Sequence, residues 1–175
     1  MNVLAFAASN SKKSINKVLA TYAANLIENA DVEILDINDY EMPIFSEDRE
    51  KELGQPEQAR AFYKKISEAD AIIVSYAEHN GGYTAAYKNL FDWTSRISKD
   101  VFQHKPVVFL STSPGPGGAA NVLESAVNSA PHFSADLRAS ISVPSFNENF
   151  DSATKRMTNT NVQREIQQAV QLLAA

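Results

Sequence analysis

Short continuous apolar runs alternate along the chain with stretches in which apolar residues recur every three to four positions. Residues 2–8 form the first such run and read as a buried strand. Ile15, Val18, Leu19, Tyr22, Ala23, Leu26 and Ile27 then mark one face of an amphipathic helix, with Ser14 placed as its N-cap. Residues 32–37 read as a second strand. Residues 38–54 are a polar connection containing Pro43, long enough in a compact domain to suggest a functional or partly helical segment. Ala59, Phe62, Tyr63 and Ile66 mark a second helix, residues 70–77 a buried strand, and residues 83–96 a third helix. Residues 106–110 read as a fourth strand entered through Pro106, where the missing N–H is tolerated. Val122, Leu123, Ala126 and Val127 mark a fourth helix that stops near Pro131. Residues 137–143 are a fifth strand, less apolar and suited to an edge. Residues 147–160 are a polar surface connection, and Val162, Ile166, Ala169, Val170 and Leu173 mark the last helix.

Strands that alternate with helices and are apolar throughout need cover on both sheet faces, which predicts a parallel sheet. Right-handed crossovers then make it an α/β doubly wound sheet of five strands. No repeat or composition break divides the chain, so residues 1–175 are read as one domain.

Composition narrows the chemistry. Of the 175 residues, 44% are hydrophobic and 21% charged, an ordinary globular balance. The absence of cysteine excludes disulfides, thiol nucleophiles and Cys-ligated metals. A net charge of −5 argues against nucleic acid or an anionic membrane surface as partner. The first apolar run is too short for a secretory h-region or a membrane span, so the expected location is the cytoplasm.

In an open parallel sheet, ligands bind beyond the carboxyl ends of the strands. Three loops leave those ends. The first, Ser9-Asn10-Ser11-Lys12-Lys13-Ser14-Ile15-Asn16, opens a helix, whose unpaired amides and positive dipole end suit an anion such as a phosphate monoester. The same residues would equally make an ordinary serine cap with solvated lysines. The second, Ala77-Glu78-His79-Asn80-Gly81-Gly82, lets the backbone approach a flat ligand, or is a tight turn with positive φ at its glycines. The third runs from Ser111 through Ser113, Gly115 and Gly117 to Gly118 and is rich in glycine and proline.

These loops resemble those of the NAD(P)H-dependent FMN reductases, a family whose relatives include quinone, azo-dye and chromate reductases. The family's first loop reads Gly-Ser-x-Arg-x-x-Ser-x-Asn. Ala8, Ser9, Ser14 and Asn16 fall on it, with Ala8 for the glycine and Ser11 where arginine is usual, so Lys12 or Lys13 would supply the charge. The second loop and its helix read Pro-Glu-Tyr-Asn-Gly-Ser-x-Pro-x-x-x-Lys-Asn-x-x-Asp-Trp. Glu78, Asn80, Gly81, Lys88, Asn89, Asp92 and Trp93 keep that register, while Ala77, His79, Gly82 and Thr84 depart from it. Gly117 and Gly118 resemble the family's Gly-Gly segment, at slightly compressed spacing.

The resemblance implies a flavodoxin-like sheet of order 2-1-3-4-5 and FMN at the strand ends. It also implies NADPH or NADH as electron donor, a small-molecule acceptor, and a homodimer or dimer of dimers. It assigns to the flavin Ser9, Ser11, Lys12, Ser14, Ile15, Asn16, Ala77, Glu78, His79, Asn80, Gly81, Ser113, Gly115, Gly117 and Gly118. No side chain is required as a nucleophile, because the flavin carries the chemistry.

Rival readings remain. Gly115, Gly117 and Ala120 make G-x-G-x-x-A, with Asp136 further on, a dinucleotide fingerprint placed unusually late and with its acid before a strand. A flavin-binding electron carrier without NAD(P)H turnover is the alternative of a different class. A receiver domain would need acidic residues that Ala7-Ala8 and Ala77-Glu78 do not supply, and no G-x-x-x-x-G-K-[ST] is present. Lys88 and Asp92 suit an i,i+4 ion pair. Phe91 and Trp93 suit core or subunit interface, and the run 47–52 suits a solvated face, a lid or a subunit contact.

Overall fold

The computed structural model describes residues 1–174. Its central sheet contains β1 (Asn2–Ala8), β2 (Asp31–Leu35), β3 (Ala71–Tyr76), β6 (Pro106–Thr112) and β7 (Asp136–Val143). Between β3 and β6 lies a small hairpin, β4 (Glu78–His79) and β5 (Gly82–Tyr83). A second hairpin, β8 (Phe150–Asp151) and β9 (Arg156–Met157), follows β7. The sheet order is β2-β1-β3-β6-β7 with all pairs parallel. This is the expected 2-1-3-4-5 order, with β7 at an edge.

The helices are α1 (Ile15–Ala24), α2 (Glu47–Leu53), α3 (Glu57–Glu68), α4 (Ala85–Ile97), α5 (Ala120–Ser129), α6 (Phe146–Asn149) and α7 (Thr160–Gln171). Strand periodicity divides the core in two. Leu4, Phe6, Ile72, Val74, Val107 and Phe109 face one layer, with Phe62 and Ile66 of α3 and Leu90 and Trp93 of α4. Val3, Ala5, Ile73, Val108 and Leu110 face the other, with Leu19 and Ala23 of α1 and Ile166 and Val170 of α7. Every residue of β3 is buried, as a central parallel strand requires.

Several boundaries differ from the sequence expectation. The first helix ends at Ala24, not Ile27, because Leu26 and Ile27 donate to Ala23 and Ala24, a tightening into three-residue turns. The second strand ends at Leu35. Asp36 then accepts from the Asn38 amide and starts a 3₁₀ turn over Ile37–Tyr40. The third helix starts at Ala85, since Tyr83 belongs to β5. The fourth helix ends at Ser129, and Pro131 sits inside a following 3₁₀ turn. Residues 147–160 are not a plain polar connection: Phe150 and Met157 are buried against the α1–α7 layer and fold the segment into the β8–β9 hairpin.

The long connection after β2 is partly helical. Its helix, α2, is capped by Ser46 and buries no residue. It is held instead by α4. Asn89 donates to the carbonyls of Met42 and Pro43 (both 3.1 Å) and accepts from the Phe45 amide at 2.8 Å. The fully buried Trp93 donates its indole N–H to Pro43 at 2.7 Å and meets Phe45 edge-on at 5.1 Å. Arg96 bonds Glu50 through both of its oxygens and lies over the Phe45 ring. Asn89 and Trp93 of the Lys-Asn-x-x-Asp-Trp run thus strap residues 42–45 to the core, and Lys88 pairs with Asp92 at 2.7 Å. Asn89→Ala should lower the unfolding free energy by about 1–2 kcal/mol, because it leaves the Phe45 amide and the Met42 carbonyl short of partners while the Pro43 carbonyl keeps Trp93. It should also speed proteolysis within residues 41–56. Wild-type values in urea unfolding and limited proteolysis would show that the strap is held by other contacts.

Candidate functional site

Strand register brings the three loops to one place. Ala8 pairs with Tyr76 and Tyr76 with Ser111, so the loops after β1, β3 and β6 all leave the sheet at the same level. Adjacent strands lie about 5 Å apart, so the loop roots fall within roughly 10 Å of one another. One side chain ties them together. Asn16, 2% exposed, donates to the Thr112 carbonyl at 3.1 Å. Its oxygen accepts from the Thr112 amide at 3.1 Å and from the Ser75 hydroxyl at 2.8 Å. Its amide group therefore fastens the start of α1 to β3 and β6.

In the first loop, Ser14 caps α1 by accepting from the Lys17 amide, and Ser9 accepts from the Ser11 amide, each at 3.2 Å. Both serines are buried, and both hydroxyls are used as acceptors, which leaves each O–H available to donate. Among the described residues, the amides of Lys12, Lys13, Ile15 and Asn16 donate to no protein acceptor. The first turn of α1 carries no acid. Lys17 is engaged at 2.6 Å with Asp36, whose carboxyl that contact and the Asn38 amide hold below the usual range. Ser11, Lys12 and Lys13 are exposed, and neither lysine has an ion-pair partner among the described residues. Ile15 is half-buried against the α1–α7 core.

The second loop is a hairpin around Asn80 and Gly81, both at positive φ (51° and 79°), as a two-residue I′ turn requires. Gly82, expected at positive φ, instead pairs with His79 in the hairpin, because the turn places Asn80 and Gly81 at its centre. His79, Asn80 and Gly81 are exposed, and Ala77 is half-buried. Glu78 is committed to the start of α5. Its carboxylate accepts from the Val122 amide at 2.9 Å and the Asn121 side chain at 3.3 Å. Ala119 offers no capping side chain to α5, so Glu78 caps that helix from another loop. Beneath the hairpin, Thr84 caps α4 and donates to the Ala8 carbonyl at 3.0 Å, joining the second loop to β1. Burial pushes the Tyr76 and Tyr87 phenols upward, so both stay protonated.

The third loop is built from the edge strand. Ser145 and Phe146 donate to Gly115 and Ser113 at 2.9 and 3.0 Å. The hydroxyls of Ser111 and Ser142 both donate to the Gly118 carbonyl. Gly118 has φ +59°, and a Cβ there would lie 2.4 Å from the Ser142 hydroxyl and 3.0 Å from Pro144. Gly115 and Gly117 face open space, and the amides of Ser113, Gly115 and Gly117 have no protein acceptor among the described residues. Asp136 is the first residue of β7, at the opposite edge of the sheet from these glycines, and pairs with Arg138. That placement removes the dinucleotide-fingerprint reading.

The structure thus gathers the loops that carry all fifteen sequence-read residues, and it separates their tasks. The side chains of Asn16 and Glu78 are committed to protein partners. Those of Ser9 and Ser14 keep a donor. Ser75, Thr84, Ser142 and Ser145 escaped sequence reasoning. Ser111 and Thr112, read as the start of the third loop, are the last residues of β6, and a hydroxyl residue inside an apolar strand was the one signal that Ser75 offered.

The family described as NADPH-dependent FMN reductase matches residues 1–148. The chain is 31% identical over 128 residues to an NADH-dependent flavin reductase subunit of Lactobacillus johnsonii, covering 71% of this chain and 66% of that one. It is 33% identical over 122 residues to an NADPH:quinone oxidoreductase of Arabidopsis thaliana, covering 67% and 61%. The matched stretch spans under two thirds of the length of these relatives. Among solved structures, the flavoenzyme FerB of Paracoccus denitrificans superposes with a TM-score of 0.77 at 23% identity, over 98% of this chain and 94% of that one. A flavodoxin of Pseudomonas aeruginosa superposes with a TM-score of 0.60 at 12% identity, over the full length of both chains. Both likenesses bear on the fold.

Removal of the Glu78 carboxylate should cost the α5 cap. Glu78→Ala should lower stability by about 1–2 kcal/mol. Glu78→Gln keeps an acceptor oxygen and loses the charge–dipole part, so it should cost about 0.3–1 kcal/mol. Urea unfolding of the pair measures both, and an alanine variant as stable as wild type would show that the contact contributes nothing.

Proposed function

The chain belongs to the NADPH-dependent FMN reductase family, and we propose that it is an enzyme that holds FMN along the carboxyl edge of its sheet and passes electrons from NADPH or NADH to a small acceptor, a quinone being representative. The observation that carries this reading is the pair of buried serines, each with a hydroxyl hydrogen still to donate, beside four unpaired amides at a helix start that carries no acid. That donor set matches a phosphate dianion in number and sign. When bound, FMN supplies the hydride acceptor and the electron relay.

The chain's own residues do the rest. The start of α1, Ser9 and Ser14 hold the phosphate, and the ammonium groups of Lys12 and Lys13 supply the charge that arginine supplies elsewhere in the family's pattern. The amides of Asn80, Gly81 and Gly117 are free to donate to the polar edge of a flat ring. Donors fixed where negative charge develops favour the reduced state. Asn16 and Glu78 hold the loops in register, and His79, exposed beside the turn, is placed to pack against or donate to a ring there. Dependence on NAD(P)H suits the cytoplasm. A second copy of the chain suits the strap, where Ile44 and Leu53 are 75% and 56% exposed.

Two measurements test this. A visible spectrum of the protein with FMN should show bound-flavin bands that bleach anaerobically with NADPH or NADH and return on addition of a quinone. Bound flavin that neither nucleotide reduces would leave an electron carrier instead. Ser14→Asp keeps a good N-cap and so keeps the fold, but puts a carboxylate beside the phosphate. FMN affinity should fall about tenfold or more, which corresponds to about 1.4 kcal/mol of repulsion. Unchanged affinity would sink the phosphate assignment.

A further inference from the structure

The outer face of α1 and residues 146–155 border an open cavity of about 630 Å³ that extends along α1 from Lys12 to Leu26. Its volume falls in the range of small-molecule sites, roughly 300–1,000 Å³. The floor is apolar and largely aromatic. Tyr22 meets Phe150 edge-on at 5.7 Å, and Phe150 stacks on Phe146 at 4.9 Å. Val18, also on the floor, is left 40% exposed. The rim carries Lys12, Lys13, Lys17 and Lys155, and no acid lines the cavity. Lys17 is paired with Asp36, whereas Lys12, Lys13 and Lys155 have no ion-pair partner among the described residues. In a chain of net charge −5, cations clustered over an aromatic floor select for an anion that also carries a ring.

We propose that this cavity is a second ligand site, for a small aromatic anion of the aryl-carboxylate or aryl-sulfonate class, and that its occupancy weakens FMN binding. The ring lies on the Tyr22–Phe150–Phe146 wall, and the anionic group faces the lysines. Lys12, Lys13 and Ser14 border both this cavity and the phosphate loop, so two anions compete for the same positive charge. Linkage makes the effect reciprocal: FMN weakens the aromatic anion by the same factor. The coupling rests on the proposed FMN site, whereas binding to the cavity does not.

The probe is 8-anilinonaphthalene-1-sulfonate, whose fluorescence rises in an apolar site, titrated into the full-length protein with and without saturating FMN. One molecule should bind per chain, at least about tenfold more tightly than neutral N-phenyl-1-naphthylamine, a difference of about 1.4 kcal/mol. Val18→Glu places a carboxylate on the floor, and Lys155→Glu reverses a charge on the exposed rim. Each should weaken the probe about tenfold or more, with the far-UV circular dichroism unchanged. Saturating FMN should raise the probe's Kd severalfold. Equal binding of the neutral analogue, or wild-type binding by both variants, would overturn the site. An unchanged Kd in protein whose flavin absorption proves it loaded would overturn the coupling. If the protein takes up no FMN, that failure is seen in the flavin absorption alone, and the titration without FMN still decides the cavity.

Discussion

The buried amide of Asn16 sets the height at which α1 begins relative to the strands. Its oxygen takes the Ser75 hydroxyl and the Thr112 amide, and its nitrogen reaches the Thr112 carbonyl. A polar group this deeply buried is tolerable only when its bonds are made. Here they can be made only if α1 enters the layer opposite the ends of β3 and β6. That one register leaves the amides just before Asn16 above the sheet edge, facing solvent and whatever binds there. A shift of α1 by one residue would bury those amides or orphan Asn16. The exposure of the amides at the edge proposed to bind an anion is therefore a by-product of a core hydrogen-bond network.

The same division recurs in the second loop. Glu78 resembles a ligand group in sequence, since it stands in a glycine-rich loop at a strand end. In space it closes the first turn of α5, which begins at Ala119 and has no cap of its own. Thr84 likewise joins the hairpin to β1. Loops that must present bare backbone cannot also be held by that backbone. Side chains hold them instead, and the side chains that do so are polar and near the ligand edge, so they look like binding residues.

This explains what could be read from the sequence. The sheet strands were legible because buried parallel strands write continuous apolar runs, their order followed from the family resemblance, and β7 announced its edge position by its mixed composition. Ser14 was legible as a cap because capping is local, involving Lys17 only three residues on. The hairpins β4–β5 and β8–β9 were not, since strands of two residues carry no period. α2 was legible only as one alternative for the long connection, a partly helical segment, because it buries nothing and is held by Asn89, Trp93 and Arg96 from outside. The tasks of Asn16 and Glu78 depend on partners 96 and 44 residues away, a separation at which a single chain shows residue type but not contact.

The helix starts at the open edge differ in what they offer the proposed anion on a net acidic chain. The start of α5 is occupied by the Glu78 carboxylate, so its positive end is already neutralised. The start of α4 is capped by the buried Thr84, whose hydroxyl is turned inward to Ala8. α1 begins at this edge with neither an acid in its first turn nor a carboxylate brought in from elsewhere, and among the described residues Lys12 and Lys13 beside it have no ion-pair partner. The field from a helix start falls off within about one turn, so a distant charge elsewhere on the chain does not cancel it. A net charge of −5 is therefore compatible with the anion position proposed at the start of α1. The missing arginine of the family's pattern is no argument against the proposed position, because its donors would be the amides at the start of α1 and the hydroxyls of Ser9 and Ser14, and the lysines would need only to supply sign.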